Sequence, residues 1–198
     1  MFVLVAVIWR LVSNRTSIPC PAWLSWLVER DNPLFRNNRA DVIIEHVALK
    51  PGMKVLDFGC GPGRLTIPLA KKVGPAGEVT ALDMQTAMLQ KVRTRFEAEK
   101  LCNIRLFQSY AGEGRLESNH YDCALLVTVL GEIPDKHAAL VEVFGSLKQH
   151  GVLSVTEVIA DPHFMRVRSV RQLAMTAGFI EKGFYGSKVS FTMNFEKP

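Results

Sequence analysis

The stretch Val55-Leu56-Asp57-Phe58-Gly59-Cys60-Gly61-Pro62-Gly63 joins a short apolar run to a glycine loop, and the rest of the chain takes its order from that junction. Lys54 to Phe58 reads as a buried strand, and Leu65 to Lys72 carries helical spacing until Gly74-Pro75-Ala76-Gly77 breaks it. Upstream, Arg39 to Leu49 is a helix stopped by Lys50-Pro51-Gly52. Downstream, strands are expected at Glu78–Leu82, Asn103–Phe107, Tyr121–Leu130 and Gly151–Val158. Helices are expected at Thr86–Lys100, Asp135–Gln149 and Val167–Ala177, with a closing hairpin from about Phe179 to Lys197. Strands alternating with helices imply an α/β fold with a mainly parallel sheet and helices on both faces. Right-handed crossovers then fix much of the topology.

A glycine loop between strand and helix lets backbone approach a ligand, and the helix start offers free N–H groups to an anion. Two anions compete for that role, a phosphate and a carboxylate. The dinucleotide pattern Gly-x-Gly-x-x-Gly requires a third glycine where this chain has Arg64 or Thr66. The chain instead reads Asp-x-Gly-x-Gly-x-Gly. Asp57 would repel a pyrophosphate and suits an ammonium, so the ligand carries both an ammonium and a carboxylate, as an amino acid does. Asp83 ends the second strand 20 positions past Gly63, the spacing of a carboxylate that binds ribose hydroxyls. An amino acid joined to an adenine nucleoside describes S-adenosylmethionine.

On these residues the chain resembles the class I S-adenosylmethionine-dependent methyltransferases. The resemblance runs from about Asn38 to Pro198. It rests on VLDFGCGPG (Val55–Gly63), VTALDMQTAML (Val79–Leu89), YDCALLVTVLGEIPD (Tyr121–Asp135) and GVLSVTEV (Gly151–Val158). It implies a Rossmann-like seven-stranded, mostly parallel sheet with an antiparallel last strand, and a cofactor lying across the carboxyl ends of the first strands. It also implies that Asp57, Gly59, Cys60, Gly61 and Gly63 hold the methionine moiety, that Asp83 holds the ribose, and that Met84 packs on adenine. After the third strand, where many relatives place an acidic residue for the adenine amino group, this chain reads Ser109-Tyr110-Ala111-Gly112-Glu113-Gly114, and Glu113 is the candidate. Thr128, at the end of the fourth strand, completes the expected cofactor set.

Methyl transfer from a sulfonium is an in-line displacement in which alignment and exclusion of water dominate. A base is needed only where the nucleophile must lose a proton. The acceptor should lie between Thr128–Asp135 and Glu157–Phe164, which follow the central strands. Glu132, Glu157 and His163 are the catalytic candidates there, with Asp161 as a further polar group. Base-methylating enzymes of nucleic acids commonly carry Asn/Asp/Ser-Pro-Pro-aromatic after the fourth strand. This chain has Thr128-Val129-Leu130-Gly131, which disfavours that substrate. A small-molecule or lipid-like acceptor, such as a quinone, remains.

The 198 residues carry a formal charge of +5 in scattered positions, a pattern unlike the clustered stripe of a nucleic-acid binder. Cys20, Cys60, Cys102 and Cys123 lack zinc-ligand spacing, so no metal is expected, and reduced thiols suit a cytoplasmic catalytic domain. Residues 1–37 form an apolar appendage to the domain at 38–198. Met1–Val12 is too short to span a bilayer as one helix, and all three tryptophans (Trp9, Trp23, Trp26) lie in the appendage. Two readings stay open for residues 1–28: an interfacial or partial transmembrane anchor at a membrane surface, or a cap packed on the domain. Two alternatives to catalysis by a methyltransferase also stand. One is a non-catalytic S-adenosylmethionine-binding protein that recruits a partner through its N-terminus, and the other is a nicotinamide oxidoreductase, disfavoured by Arg64 and Thr66.

Overall fold

The computed structural model describes residues 35–198 together with Ser25, Glu29 and Asp31. The apolar stretches at 1–12 and 22–28, Ser25 apart, and the membrane and cap readings made for them, lie outside the described residues. No described helix is long and apolar enough to cross a membrane.

Seven strands form one sheet: β1 (Lys54–Phe58), β2 (Glu78–Asp83), β3 (Ile104–Gln108), β4 (Tyr121–Val127), β5 (Leu147–Val158), β6 (Ile180–Ser187) and β7 (Ser190–Glu196). Their order is β3-β2-β1-β4-β5-β7-β6. The first five are parallel, and β7 runs antiparallel to both of its neighbours. The seven-stranded, mostly parallel sheet with its antiparallel last strand is therefore as expected.

The central strands are apolar on both faces because helices cover both. Leu56 and Phe58 of β1, with Ala124 and Leu126 of β4, pack under α4 (Lys136–Ser146) and α5 (Val167–Thr176) through Leu140, Val143, Val170 and Ala174. Their neighbours Val55, Cys123 and Leu125 point the other way. There they meet Ile43 of α1 (Ala40–His46) and Leu69 and Val73 of α2 (Thr66–Val73). A third helix, α3 (Thr86–Ala98), sets Leu89 and Val92 on Ala81 of β2.

Two of the boundaries that differ from expectation shape the functional end of the molecule or its support. The helix expected to run to Gln149 stops at Ser146. Leu147 is buried opposite Tyr121 and starts β5, so strand pairing overrides the helical composition of Leu-Lys-Gln. The strand expected to reach Leu130 ends at Val127. Thr128 takes a positive φ of 55°, its N–H still bonds Thr156 O at 2.9 Å, and Leu130–Glu132 coils into a single 3-10 turn.

The strand order reverses direction between β1 and β4. The loops leaving those strands part to opposite sides and open a crevice at their carboxyl ends, where open α/β sheets bind ligands.

Candidate active site

The first wall of the crevice is backbone. Gly59 and Cys60 both donate their N–H to Leu82 O, at 2.8 and 2.9 Å, which ties the loop to β2. Gly59 has φ +72°, and a Cβ there would lie 2.5 Å from Val129 Cγ2. Gly63 has φ +85°, with Val92 of α3 3.2 Å from where its Cβ would be. Only glycine meets both demands at these positions.

Two buried carboxyls brace this loop. Asp57 accepts the Thr66 hydroxyl at 2.6 Å. Burial pushes its carboxyl up to about 6, against the opposing pull of the Thr66 bond and of Arg64. Asp83 spreads its two oxygens, one to Gly61 N–H at 2.9 Å and one to Gln85 N–H at 2.8 Å. Burial also raises the Asp83 carboxyl, those two N–H groups lower it, and the charge of Glu132 raises it further. Each Asp83 oxygen thus keeps lone-pair capacity for a hydroxyl donor. Cys60 is buried beside both carboxyls, and burial pushes its thiol well up. That thiol is a packing group rather than a nucleophile.

Met84 follows at the rim, partly exposed, with its carbonyl accepting Gln108 Nε2 at 3.3 Å. Glu113 turns back on its own loop, where Oε2 accepts the Ser109 hydroxyl at 3.1 Å and Tyr110 N–H at 3.4 Å. Glu142 of α4 holds the same loop by accepting N–H groups from Gly112, Arg115 and Leu116.

The second wall is made of side chains. Glu132, ending the 3-10 turn after β4, places Oε1 3.5 Å from Nδ1 of the buried His163. Asp161 Oδ1 lies 3.9 Å from the same nitrogen and accepts the His163 backbone N–H at 2.7 Å. Glu157, near the end of β5, is 1% exposed. Its Oε2 accepts Met165 N–H at 3.1 Å, while Oε1 is buried with no hydrogen-bond partner among the described residues. Burial lifts the Glu157 carboxyl to about 8, the Met165 bond opposes this, and the charges of Asp161 and Glu132 add to it. A neutral Glu157 whose Oε2 accepts an N–H carries its proton on Oε1, which makes that atom a buried donor.

The structure thus gathers Asp57, Gly59, Cys60, Gly61, Gly63 and Asp83 at one side of the crevice and Glu132, Glu157 and His163 at the other. Thr128 sits at the seam, and Glu113 engages its own loop. Sequence reading missed Gly131, where a Cβ would collide with the backbone carbonyl of His163, so this glycine lets the segment after β5 close over the turn after β4. It also missed Asp31, which binds Arg64 across 33 positions. No local pattern signals a contact that long. Among the described residues, no group of three or more His, Cys, Asp or Glu is placed to hold a metal ion.

A glycine loop and a strand-end carboxylate at the switch point of such a sheet define a Rossmann-like nucleoside-binding domain, and the comparisons carry this to a family. A model of the methyltransferase domain matches residues 49–182, so the chain belongs to that family, the class I S-adenosylmethionine-dependent methyltransferases. It is similar to the ubiquinone/menaquinone biosynthesis C-methyltransferase of Shewanella halifaxensis, at 32% identity over 61% of this chain and 48% of that one. It is also similar to the demethylmenaquinone methyltransferase of Staphylococcus aureus, at 33% identity over 58% and 47%. The chain spans about half the length of the curated relatives it matches. Among solved structures, an S-adenosylmethionine-dependent methyltransferase of Aquifex aeolicus superposes with a TM-score of 0.80 at 20% identity, covering 91% of this chain and all of that one. The [4+2]-cyclase SpnF shares the fold at a TM-score of 0.73 and 16% identity, with 82% of this chain and 81% of that one covered. One sheet therefore hosts more than one reaction, and the acceptor must be argued from the site.

Proposed function

We propose that this protein transfers a methyl group from S-adenosylmethionine to a quinone-like acceptor. The observation that carries the reading is the position of Glu132. Its charge acts on both Asp83 and Glu157, and it lies 3.5 Å from His163. It therefore stands where a donor held by the first wall would meet an acceptor held by the second.

In this reading Asp57 takes the ammonium of the cofactor, the glycine loop and the start of α2 take its carboxylate, and Asp83 takes the ribose hydroxyls. Met84 covers the adenine, and Glu113 sets the loop beside it. The bound cofactor supplies an electrophilic methyl group. The remaining work belongs to the acceptor wall. His163 receives a proton from a ring hydroxyl, and Glu132 orients the imidazole and stabilises its charged form. The ring carbon so activated takes the methyl group as its bond to sulfur breaks, and that carbon's own proton then leaves to restore the aromatic ring. Glu157 Oε1 donates to a second oxygen of the acceptor and fixes the ring against the methyl group. The packed loop after β5 keeps water out. An acceptor with two ring oxygens fits one proton-accepting and one proton-donating group, and the relatives named for quinone methylation support the same class.

The apolar residues 1–28 suit a membrane surface, which would bring a cytoplasmic catalytic domain to lipid-soluble quinones. This part rests on the sequence alone, and flotation with liposomes, with and without residues 1–28, tests it.

The central test is incubation with methyl-labelled S-adenosylmethionine and a naphthohydroquinone lacking its ring methyl, beside lipid, protein and nucleic-acid fractions. Label recovered in the quinol ring is the expected result. Label confined to protein or nucleic acid overturns the reading.

A further inference from the structure

The glycine loop is braced from a direction that the methyltransferase match does not include. Arg64 follows Gly63 directly, and its side chain is only 14% exposed. Its Nη1 donates to Asp31 Oδ1 at 2.7 Å and to Asn38 O at 2.5 Å, and Nη2 donates to Asn38 Oδ1 at 3.2 Å. Asp31 Oδ1 also accepts Ala40 N–H at 3.0 Å, at the start of α1. One carboxylate thereby joins the N-terminal appendage, the first helix and the residue that leaves the cradle. A second fastening lies on the other flank. Ser25 is buried and accepts Lys91 Nζ at 2.5 Å, on the helix whose Val92 borders Gly63. Asp31 and Asn38 both precede the matched span at 49–182.

We propose that Asp31 is a positioning residue for the cofactor cradle and acts through Arg64. The proposal rests on the cofactor assignment above. Glycines at 59, 61 and 63 give the loop its shape and also the freedom to leave it, so a fixed shape needs support from outside. A guanidinium fork held by three bonds supplies that support at the loop's last residue. It also sets the charge beside Asp57. Among the described residues, the groups around Asp57 are the Thr66 hydroxyl, Arg64, the Asp83 carboxyl and the Cys60 thiol. Arg64 is the cation among them. Released from Asp31, it would leave Asp57 easier to protonate and poorer at holding an ammonium.

The test is titration of the full chain with S-adenosylhomocysteine. Asp31→Ala should weaken binding about tenfold, and Arg64→Ala at least as much. The double variant should bind no more weakly than Arg64→Ala alone, because the two residues act as a unit. Asp31→Asn keeps an acceptor for Ala40 N–H while removing the charge, so it should still lose affinity with an unchanged thermal midpoint. Asp31→Glu should recover most of the loss. The deficit of Asp31→Asn should widen from pH 8 to pH 6, a dependence that a helix-capping role alone would not produce. Wild-type affinity in both Asp31→Asn and Asp31→Ala overturns the proposal while leaving the cofactor reading standing. Additive losses in the double variant do the same. Absence of binding by the wild-type chain overturns both.

Discussion

The two walls of the crevice are built by different means. Around β1 and β2, backbone does most of the work. Glycines sit at positive φ, N–H groups point at Leu82 O and at Asp83, and side chains enter chiefly as braces. Around β4 and β5, titratable side chains do it, and Glu132, Asp161, His163 and Glu157 arrive from a 3-10 turn, a strand end and a loop. A backbone cradle is a fixed shape for one invariant ligand. A cluster of ionisable side chains is a chemical environment that can be retuned residue by residue. The division matches a domain that always binds the same donor and varies its acceptor.

Breaking the first wall should produce the largest effects. Gly59→Ala sets a methyl group against Val129 and strains a positive φ, so affinity for S-adenosylhomocysteine should fall by about a hundredfold or more. Adding Val129→Ala removes the two colliding methyls and should restore part of that loss, with the strain accounting for the rest. Asp83→Ala should weaken the same ligand on the order of a hundredfold, since two charge-assisted hydrogen bonds are lost. Binding of a naphthoquinone should be unaffected, and a matching loss there would erase the distinction between the walls.

The second wall should respond in turnover rather than in cofactor binding. His163→Ala should lower kcat by about a hundredfold and leave S-adenosylhomocysteine titrations unchanged. The smallest effect is thermodynamic. Glu157 has its carboxyl raised to about 8 in the fold, from an ordinary value of 4.5. Between those values the native state holds a proton that the unfolded chain has released. The stabilising contribution of the neutral group is therefore full below the unfolded value and is lost as pH rises through the folded one. Glu157→Gln stays neutral, so it should melt higher than wild type by on the order of 5 °C at pH 9 and show little difference at pH 4.5. Parallel melting curves at both pH values would mean that Glu157 is solvated after all.

How much of this was legible depends on the wall. The loop from Asp57 to Gly63 and the spacing to Asp83 could be read directly, because positive φ and close approach leave glycine as their trace. The seven-stranded, mostly parallel sheet and its antiparallel last strand followed from the resemblance, while the strand order did not. The end of α4 was misread because Leu147-Lys148-Gln149 is helical in composition and strand-like only through its pairing with Tyr121. The seam after β4 was misread because a positive φ at Thr128 leaves no mark in a threonine. Glu132, Glu157 and His163 were each chosen by place along the chain. Their meeting depends on Gly131, which admits the backbone of His163, and that role shows only when two distant segments touch. Asp31 lies beyond any local reading for the same reason.

The placement of β7 bears on how the molecule is assembled. The strand made from residues 190–196 lies inside the sheet, between β5 and β6, and through it β6 joins the sheet. During synthesis β6 leaves the ribosome before the strand it pairs with, and Phe191, Met193 and Phe195 are still missing from the core. The sheet therefore closes only after these late residues emerge, through contacts distant in sequence that form slowly. A nascent chain halted ahead of Ser190 should remain a client for chaperones, with its crevice unfinished on the acceptor side.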